Sequence, residues 1–408
     1  MTNDISQPEN PAAPHGARIP VLDAVRGIAI VLVLLVHFTP DYLMPNRGLE
    51  WVKKLMFTGW TGVDLFFVLS GFLITDILVR VRQSPHWIRN FYQRRILRIL
   101  PLYLGSLVVV FGIVPWFVPI GRDPAFDVMK STQGWYWLHQ ANVCVFLHGF
   151  SATGSETVNL GHLWSLAVEE HFYLVWPFLV ALLPPRRLLP ALVGIILLAI
   201  AIRLVAMTTL TGPMLEGAFV QTPARMDGLA CGALLSVLFR QVAEATLRRW
   251  ALVLFPVIGA IFLTDFFVEK GLWVGSHLVR SVGFTLLGCF YASLLVILLT
   301  DAPTTPLRRV IDNPVLRFFG KYSYGIYVIH FLIAPTLHRW FPEPALLAQL
   351  HSYVLASVVC IAGKTAISVG LALISWHVLE APCLRLKDRF GYAPKQAAEA
   401  APVPGGGA

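Results

Sequence analysis

Arg26 and His37 stand eleven residues apart in the apolar run VLDAVRGIAIVLVLLVHF. At 100° per residue that spacing is three turns plus about 20°, so the two side chains share one helix face, roughly 16 Å apart along its axis. An ionisable group in such a run costs about 2.5–3.5 kcal/mol on insertion scales and normally faces a partner or a wet cavity. The pair can therefore hold an anion at one depth while an imidazole moves protons at another. A second reading has Arg26 snorkelling or pairing with Asp23, and His37 hydrogen-bonding to a neighbouring helix.

Four further stretches carry polar groups. In GVDLFFVLSGFLITDIL, Asp64 sits near one end and Ser70 in the middle. Two readings fit Asp64: a carboxylate that orients the His37 imidazole, or an interfacial residue capping the helix N-terminus. In HWIRNFYQRRILRILP, Arg95 and Arg98 are three apart on one helix face with Arg94 beside them. Their guanidinium forks suit the phosphates of a nucleotide-like molecule as well as they suit a topology signal. In GHLWSLAVEEHFYLVWP, His162, Ser165, Glu169 and Tyr173 follow an i, i+3, i+7, i+11 stripe, whereas Glu170 falls on the side of Leu166 and Leu174. The stripe makes Glu169 the cavity-facing acid, or else one member of a pair that locks two helices together. Finally, GKYSYGIYVIHF places Ser323, Tyr327 and His330 about one turn apart in succession, as cavity lining or as interhelical hydrogen bonding.

Such residues need helices in a solvent other than water. Of 408 residues, 56% are hydrophobic and 13% charged, more apolar side chain than one or two soluble cores would use. Apolar runs near the ~20 residues that cross a bilayer recur at 19–38, 59–79, 99–118, 163–183, 188–207, 225–239, 250–268, 279–300, 319–340 and 352–379. The expected fold class is all-α, a polytopic membrane protein with about ten transmembrane helices. The stretch Trp135–Phe150 is aromatic-rich but holds His139, Gln140, Asn142 and His148. If it dips into the membrane without crossing, the basic clusters around Arg94, Arg186, Arg248, Arg308 and Lys387 fall on one side, which the positive-inside rule makes the cytoplasm, with both termini. The net charge of +9 is then a set of topology signals, and no nucleic-acid partner is expected.

Residues 1–18 read as a disordered cytoplasmic tail without a removable signal peptide. Residues 19–382 read as the transmembrane domain, and 383–408 as a second cytoplasmic tail, disordered at its Ala/Pro/Gly-rich end. The five cysteines are far apart and lack zinc spacing, so neither a disulfide framework nor a metal is expected.

Six motifs occur in order between Leu22 and Pro382: LDAVRGIAI-x6-HF, GVDLFFVLSGFLI, F-x-x-RR-x-x-R-x-x-P, WSLAVEEHFYL, YSYGIYVIH and W-x-x-x-E-x-P. The set resembles the membrane-bound acyltransferase-3 family, bacterial O-acyltransferases that modify polysaccharides, lipid-linked sugars and some small molecules. The resemblance implies that Arg26 and His37 are the family's essential Arg-x10-His pair. It likewise implies that Arg95 and Arg98 form its Arg-x-x-Arg motif for acyl-CoA recognition, and that Glu169 and Glu170 fall on its Glu pair. The implied protein is a multi-pass enzyme of the bacterial inner membrane. It moves an acyl group, acetyl first among them with succinyl open, from cytoplasmic acetyl-CoA to a hydroxyl of a cell-envelope carbohydrate or lipid-linked acceptor.

On this reading Arg95, Arg98 and Arg26 hold the CoA phosphates. His37 is a general base held by Asp64 or Glu169, or else itself carries the acyl group; His162, Ser165, Glu170, Tyr173, Ser70, Tyr327 and His330 line the cavity or meet the acceptor. Two departures stand out. Many relatives continue into a periplasmic hydrolase-like domain, so this chain is expected to act alone or with a separate periplasmic transferase, and His171 stands where Gln is common. The competing class is a secondary transporter or flippase using the buried Arg, His and Glu as a substrate or proton path. No repeat of fixed period supports it.

Overall fold

The computed structural model describes residues 19–41, 44–117 and 122–392; the tail expected at 1–18 and the Ala/Pro/Gly-rich end expected to be disordered lie outside them. Ten long helices carry the architecture: α1 (Pro20–Phe38), α2 (Gly62–Val81), α3 (Trp87–Val108), α4 (Leu163–Leu182), α5 (Pro185–Thr209), α6 (Thr222–Leu238), α7 (Glu244–Val268), α8 (Phe284–Thr300), α9 (Pro314–Leu332) and α10 (Tyr353–Ser375). Among the described residues there is no strand, only one isolated bridge between Gly154 and Asn159. The fold class is all-α.

Local chemistry sets several of the starts. Proline occupies the first turn of α1, α5, α6 and α9, where the missing N–H would have had no intrahelical acceptor. The Asn313 side chain accepts the Leu316 N–H ahead of α9, and Ser352 accepts that of Leu355 ahead of α10.

Eight helical stretches among the described residues are long and apolar enough to cross a membrane, and the chain is a multi-pass membrane protein. Two of the ten expected spans do not meet that description. The 225–239 run is α6, only 17 residues long. The 319–340 run is interrupted after Leu332, where α9 gives way to a separate short helix, Ala334–Trp340. In α6 every residue from Asp227 to Ala233 is buried, so protein rather than lipid surrounds it and the length rule for a lipid-facing helix does not bind it. A third boundary also moved. The helix expected to begin at 99 begins at Trp87 and carries Arg94, Arg95 and Arg98 inside it, with Pro101 accommodated in its interior.

Burial sorts the helices into a centre and a rim. In the spans of α1, α2 and α8, 61% of the apolar window is buried, against 17–22% in those of α5, α7 and α10. The rim leaves Leu197, Val253 and Ile374 each about 60% exposed, an apolar surface that a bilayer covers and water would not. At the centre α1 lies between α9 and α2, while α6 packs on α2 and α5.

The α1–α9 contact is backbone against backbone. A Cβ on Gly320 would stand 1.7 Å from the Asp23 carbonyl oxygen, and one on Gly27 would stand 2.0 Å from that of Leu316. Glycine at both crossings is what allows this approach, and it brings the far end of α1 against α9.

The Trp135–Phe150 stretch folds into two short helices, Gly134–Trp137 and Ala141–His148. Eight helical residues rise about 12 Å against a hydrocarbon core of ~30 Å, so neither piece spans it. They are anchored to α3, where the Tyr103 hydroxyl donates to the Tyr136 carbonyl at 2.7 Å.

Candidate functional site

Two cavities lie along α1. The inner one, about 780 Å³, is lined by Arg26 on the first half of α1, by Arg94, Arg95 and Arg98 on α3, and by Ser70, Ser165, Glu169, Glu170, Tyr173 and Tyr327. Arg80 and Lys387 add two more cations. The cations outnumber the two glutamates, which suits a polyanionic ligand. Arg26 also bonds Asp23 at 2.9 Å, so the pairing considered for it coexists with its place in the cavity wall. The Arg95 guanidinium lies 5.0 Å from the centre of the Tyr173 ring and 5.7 Å from that of Phe91, which holds it by cation–π contact and leaves its N–H fork available.

Glu169 is fixed by two donors, the Ser70 hydroxyl at 2.9 Å and the Tyr173 hydroxyl at 3.0 Å. Both Glu169 and Glu170 line this cavity, although the helical stripe pointed to Glu169 alone. The inner mouth is bounded by the chain's far segment. Arg94 donates to the carbonyls of Lys387 and Phe390, and the Asn90 amide to that of Gly391.

The outer cavity, about 530 Å³, lies at the other end of α1. Its polar lining includes His37, His162, Asn159, Thr153, Glu216, Arg225 and Arg280, and its flat apolar lining Trp60, Trp164, Phe219 and Phe331. Val63 and Tyr327 line both cavities. The Tyr327 hydroxyl is 2.5 Å from the Ser165 hydroxyl, so a hydroxyl pair stands at the wall that the two cavities share.

His37 is held by His330, not by Asp64 or Glu169. His330 Nδ1 lies 2.7 Å from the Tyr327 carbonyl and 3.1 Å from that of Ile326. A carbonyl only accepts, so Nδ1 carries the proton and, in the neutral ring, Nε2 is the acceptor. His37 Nδ1, 3.0 Å away, must therefore donate to it. This leaves His37 Nε2 as an unprotonated acceptor on a residue that lines the outer cavity, the tautomer a general base requires. His330 itself is fully buried and acts on the cavity through His37.

Asp64 does not approach His37. Its carboxylate accepts from Arg225 at 2.8 Å, and both groups are buried. The reason lies in helix phase: Asp64 opens α2 on the face that meets α6, while His37 closes α1 on the face that meets α9. His162 lies near the histidine pair, its ring 5.6 Å from that of His330, and donates from Nε2 to the Val328 carbonyl at 3.1 Å.

Sequence reasoning passed over the charged residues of α5 and α6. Arg203, fully buried, donates to Asp227 at 2.8 Å, to Thr285 at 2.8 Å, and to the carbonyls of Ala224 and Ser281 at 2.6 and 3.0 Å. Arg225 lies 3.7 Å over the Phe284 ring. The available signal is an arginine inside the apolar run AIAIRLVAM and an Arg-x-Asp at the start of α6.

The family model for an acyltransferase domain, the acyltransferase-3 family, matches residues 19–372. The chain is 26% identical to the O-acetyltransferase OatA of Staphylococcus aureus over 97% of its own length and 62% of the relative's. It is 27% identical to the putative peptidoglycan O-acetyltransferase YrhL of Bacillus subtilis over 90% and 55%, and 28% identical to the peptidoglycan O-acetyltransferase OatA of Listeria monocytogenes over 77% and 49%. It thus spans between about half and under two thirds of these relatives' length. No solved structure matches it.

Proposed function

Since the chain belongs to the acyltransferase-3 family, we propose that it is a membrane O-acetyltransferase that takes acetyl-CoA into the inner cavity and acetylates a hydroxyl held in the outer one. The observation that carries this reading is that two cavities share Tyr327 in their walls, with Arg26, Arg95 and Arg98 lining one and the His37 imidazole lining the other. Arg95, Arg98 and Arg26 would bind the CoA phosphates as charge-assisted forks. The acyl arm then follows α1, whose ~16 Å between Arg26 and His37 separates phosphate binding from chemistry.

At the junction, His37 Nε2 takes the acceptor's proton and the oxygen attacks the thioester carbonyl. The C–O bond forms, the C–S bond breaks, and the departing CoA thiolate takes the proton from His37 Nε2, which restores the base. Ser165 donates to the His162 carbonyl at 3.0 Å and can only accept from Tyr327, so Tyr327 is the hydroxyl that would turn from Ser165 to donate to the carbonyl oxygen as charge develops on it. By the positive-inside rule the Arg-lined cavity opens to the cytoplasm across a bacterial inner membrane. Two relatives are named for peptidoglycan, which makes it the acceptor of choice.

The test is acetyl-CoA turnover by the purified chain and two variants, with CoA binding measured alongside. His37→Ala is expected to lose about 10²-fold or more in kcat while still binding CoA, and Arg95→Ala to lose CoA affinity. Full turnover in His37→Ala would remove the base, and undiminished CoA affinity in Arg95→Ala would remove the phosphate role. A carrier would move its solute without releasing CoA.

A further inference from the structure

The outer cavity holds a cation that neither the acetyl donor nor the base requires. Arg280 lines it from the turn that leads into α8. Among the described residues no carboxylate lies within ion-pair distance of Arg280. Its Nε is buried without a protein partner, and its guanidinium carbon sits 5.2 Å from the centre of the Phe219 ring. The second arginine of this wall, Arg225, is neutralised by Asp64. Glu216 lines the same cavity, but on an exposed position.

The other walls are flat and aromatic. Trp60 is held in place by donating its indole N–H to the Leu272 carbonyl at 2.9 Å. Trp164 lies opposite a buried charge, with the Arg225 guanidinium 5.5 Å from its ring, and Asn159 adds an amide. Two buried polar atoms beyond Arg280 Nε, His162 Nδ1 and Arg225 Nε, also lack a protein partner. Buried polar groups of this kind are normally matched by hydrogen bonds, and so concentrated a set beside aromatic faces is a binding surface.

Resting on the acetyltransferase reading above, we infer that the outer cavity selects a saccharide bearing an anionic group, carboxylate or phosphate, which Arg280 binds so that a neighbouring hydroxyl faces His37. An uncharged sugar would leave the half-buried Arg280 guanidinium, with its buried Nε, without a counter-charge, and a site built that way discriminates by the cost of the unmatched group.

The experiment uses the full chain in proteoliposomes and three oligosaccharides that differ in one substituent, neutral, carboxylated or phosphorylated. Binding and transfer from labelled acetyl-CoA are measured for wild type, Arg280→Gln and Arg280→Lys. Wild type is expected to favour an anionic saccharide about tenfold or more over the neutral one. Arg280→Gln should shrink that preference to within about twofold, Arg280→Lys should keep part of it, and the two anionic arms identify the group.

Equal binding of neutral and anionic saccharides by wild type would overturn the inference, as would a preference that survives in Arg280→Gln or the absence of saccharide binding. If Arg280→Gln does not fold, the wild-type comparison and Arg280→Lys decide. Arg280-dependent binding without acetyl transfer would refute the transferase and leave this site standing. Transfer without anionic preference would do the reverse.

Discussion

In the proposed mechanism the role of His37 depends on which of its ring nitrogens carries the proton, and His330 sets that through the carbonyls of Tyr327 and Ile326. His330→Ala is therefore expected to lower kcat about 10²-fold with KM for acetyl-CoA unchanged; His330→Gln, which can still accept from His37, should recover part of it. Steady-state kinetics with acetyl-CoA varied checks both. Asp64→Ala is expected to act on stability instead. It strands buried Arg225, a loss of about 3–5 kcal/mol, readable as a lower thermal midpoint in detergent. That Arg26, Glu169 and Tyr173 face a common space was legible because helical arithmetic places side chains on faces, whereas for Arg95, Arg98 and Ser70 spacing alone left cavity wall and membrane edge equally open. The His37–His330 and Asp64–Arg225 pairs were not legible, because each joins helices distant in sequence, and the spacing within one helix does not say which other helix it meets.

Among the elements, α1 and α9 carry the most exacting contact, since Gly27 and Gly320 allow two backbones to touch. Gly320→Leu must push α9 away from α1, an overpacking cost of at least about 1–3 kcal/mol, and should separate His330 from His37. Loss of turnover together with a lowered thermal midpoint is the expected outcome. The Arg203 network ties α5 to α6 and to the entry of α8; Arg203→Met leaves Asp227 buried without its cation and is expected to cost about 3–5 kcal/mol. Hydropathy located helices at all ten apolar runs and was least informative for α6 and α9. Helix α6 is short and α9 polar because they face protein, and α3 starts twelve residues early because arginines that line a cavity need not stop a helix at the membrane edge.

For the molecule as a whole, a greasy rim of α5, α7 and α10 encloses a centre with one cavity toward each end of α1. Ser84→Cys at the inner cavity and Val274→Cys at the outer one should react with a membrane-impermeant maleimide from opposite faces of sealed vesicles, with acetyl-CoA protecting only the first. Composition and the recurring apolar runs made the membrane embedding legible from sequence, whereas the division into two cavities sharing Tyr327 arises from the packing of α1, α2, α4 and α9. The most direct measurement is vectorial transfer in proteoliposomes of one orientation. Labelled acetyl-CoA is supplied on the Arg95 side and the saccharide acceptor is confined to the His37 side. The expected result is acetylated saccharide on the His37 side, with CoA released on the Arg95 side and neither product formed by His37→Ala. Acetylation only when donor and acceptor share a side, or saccharide movement without CoA release, would contradict it.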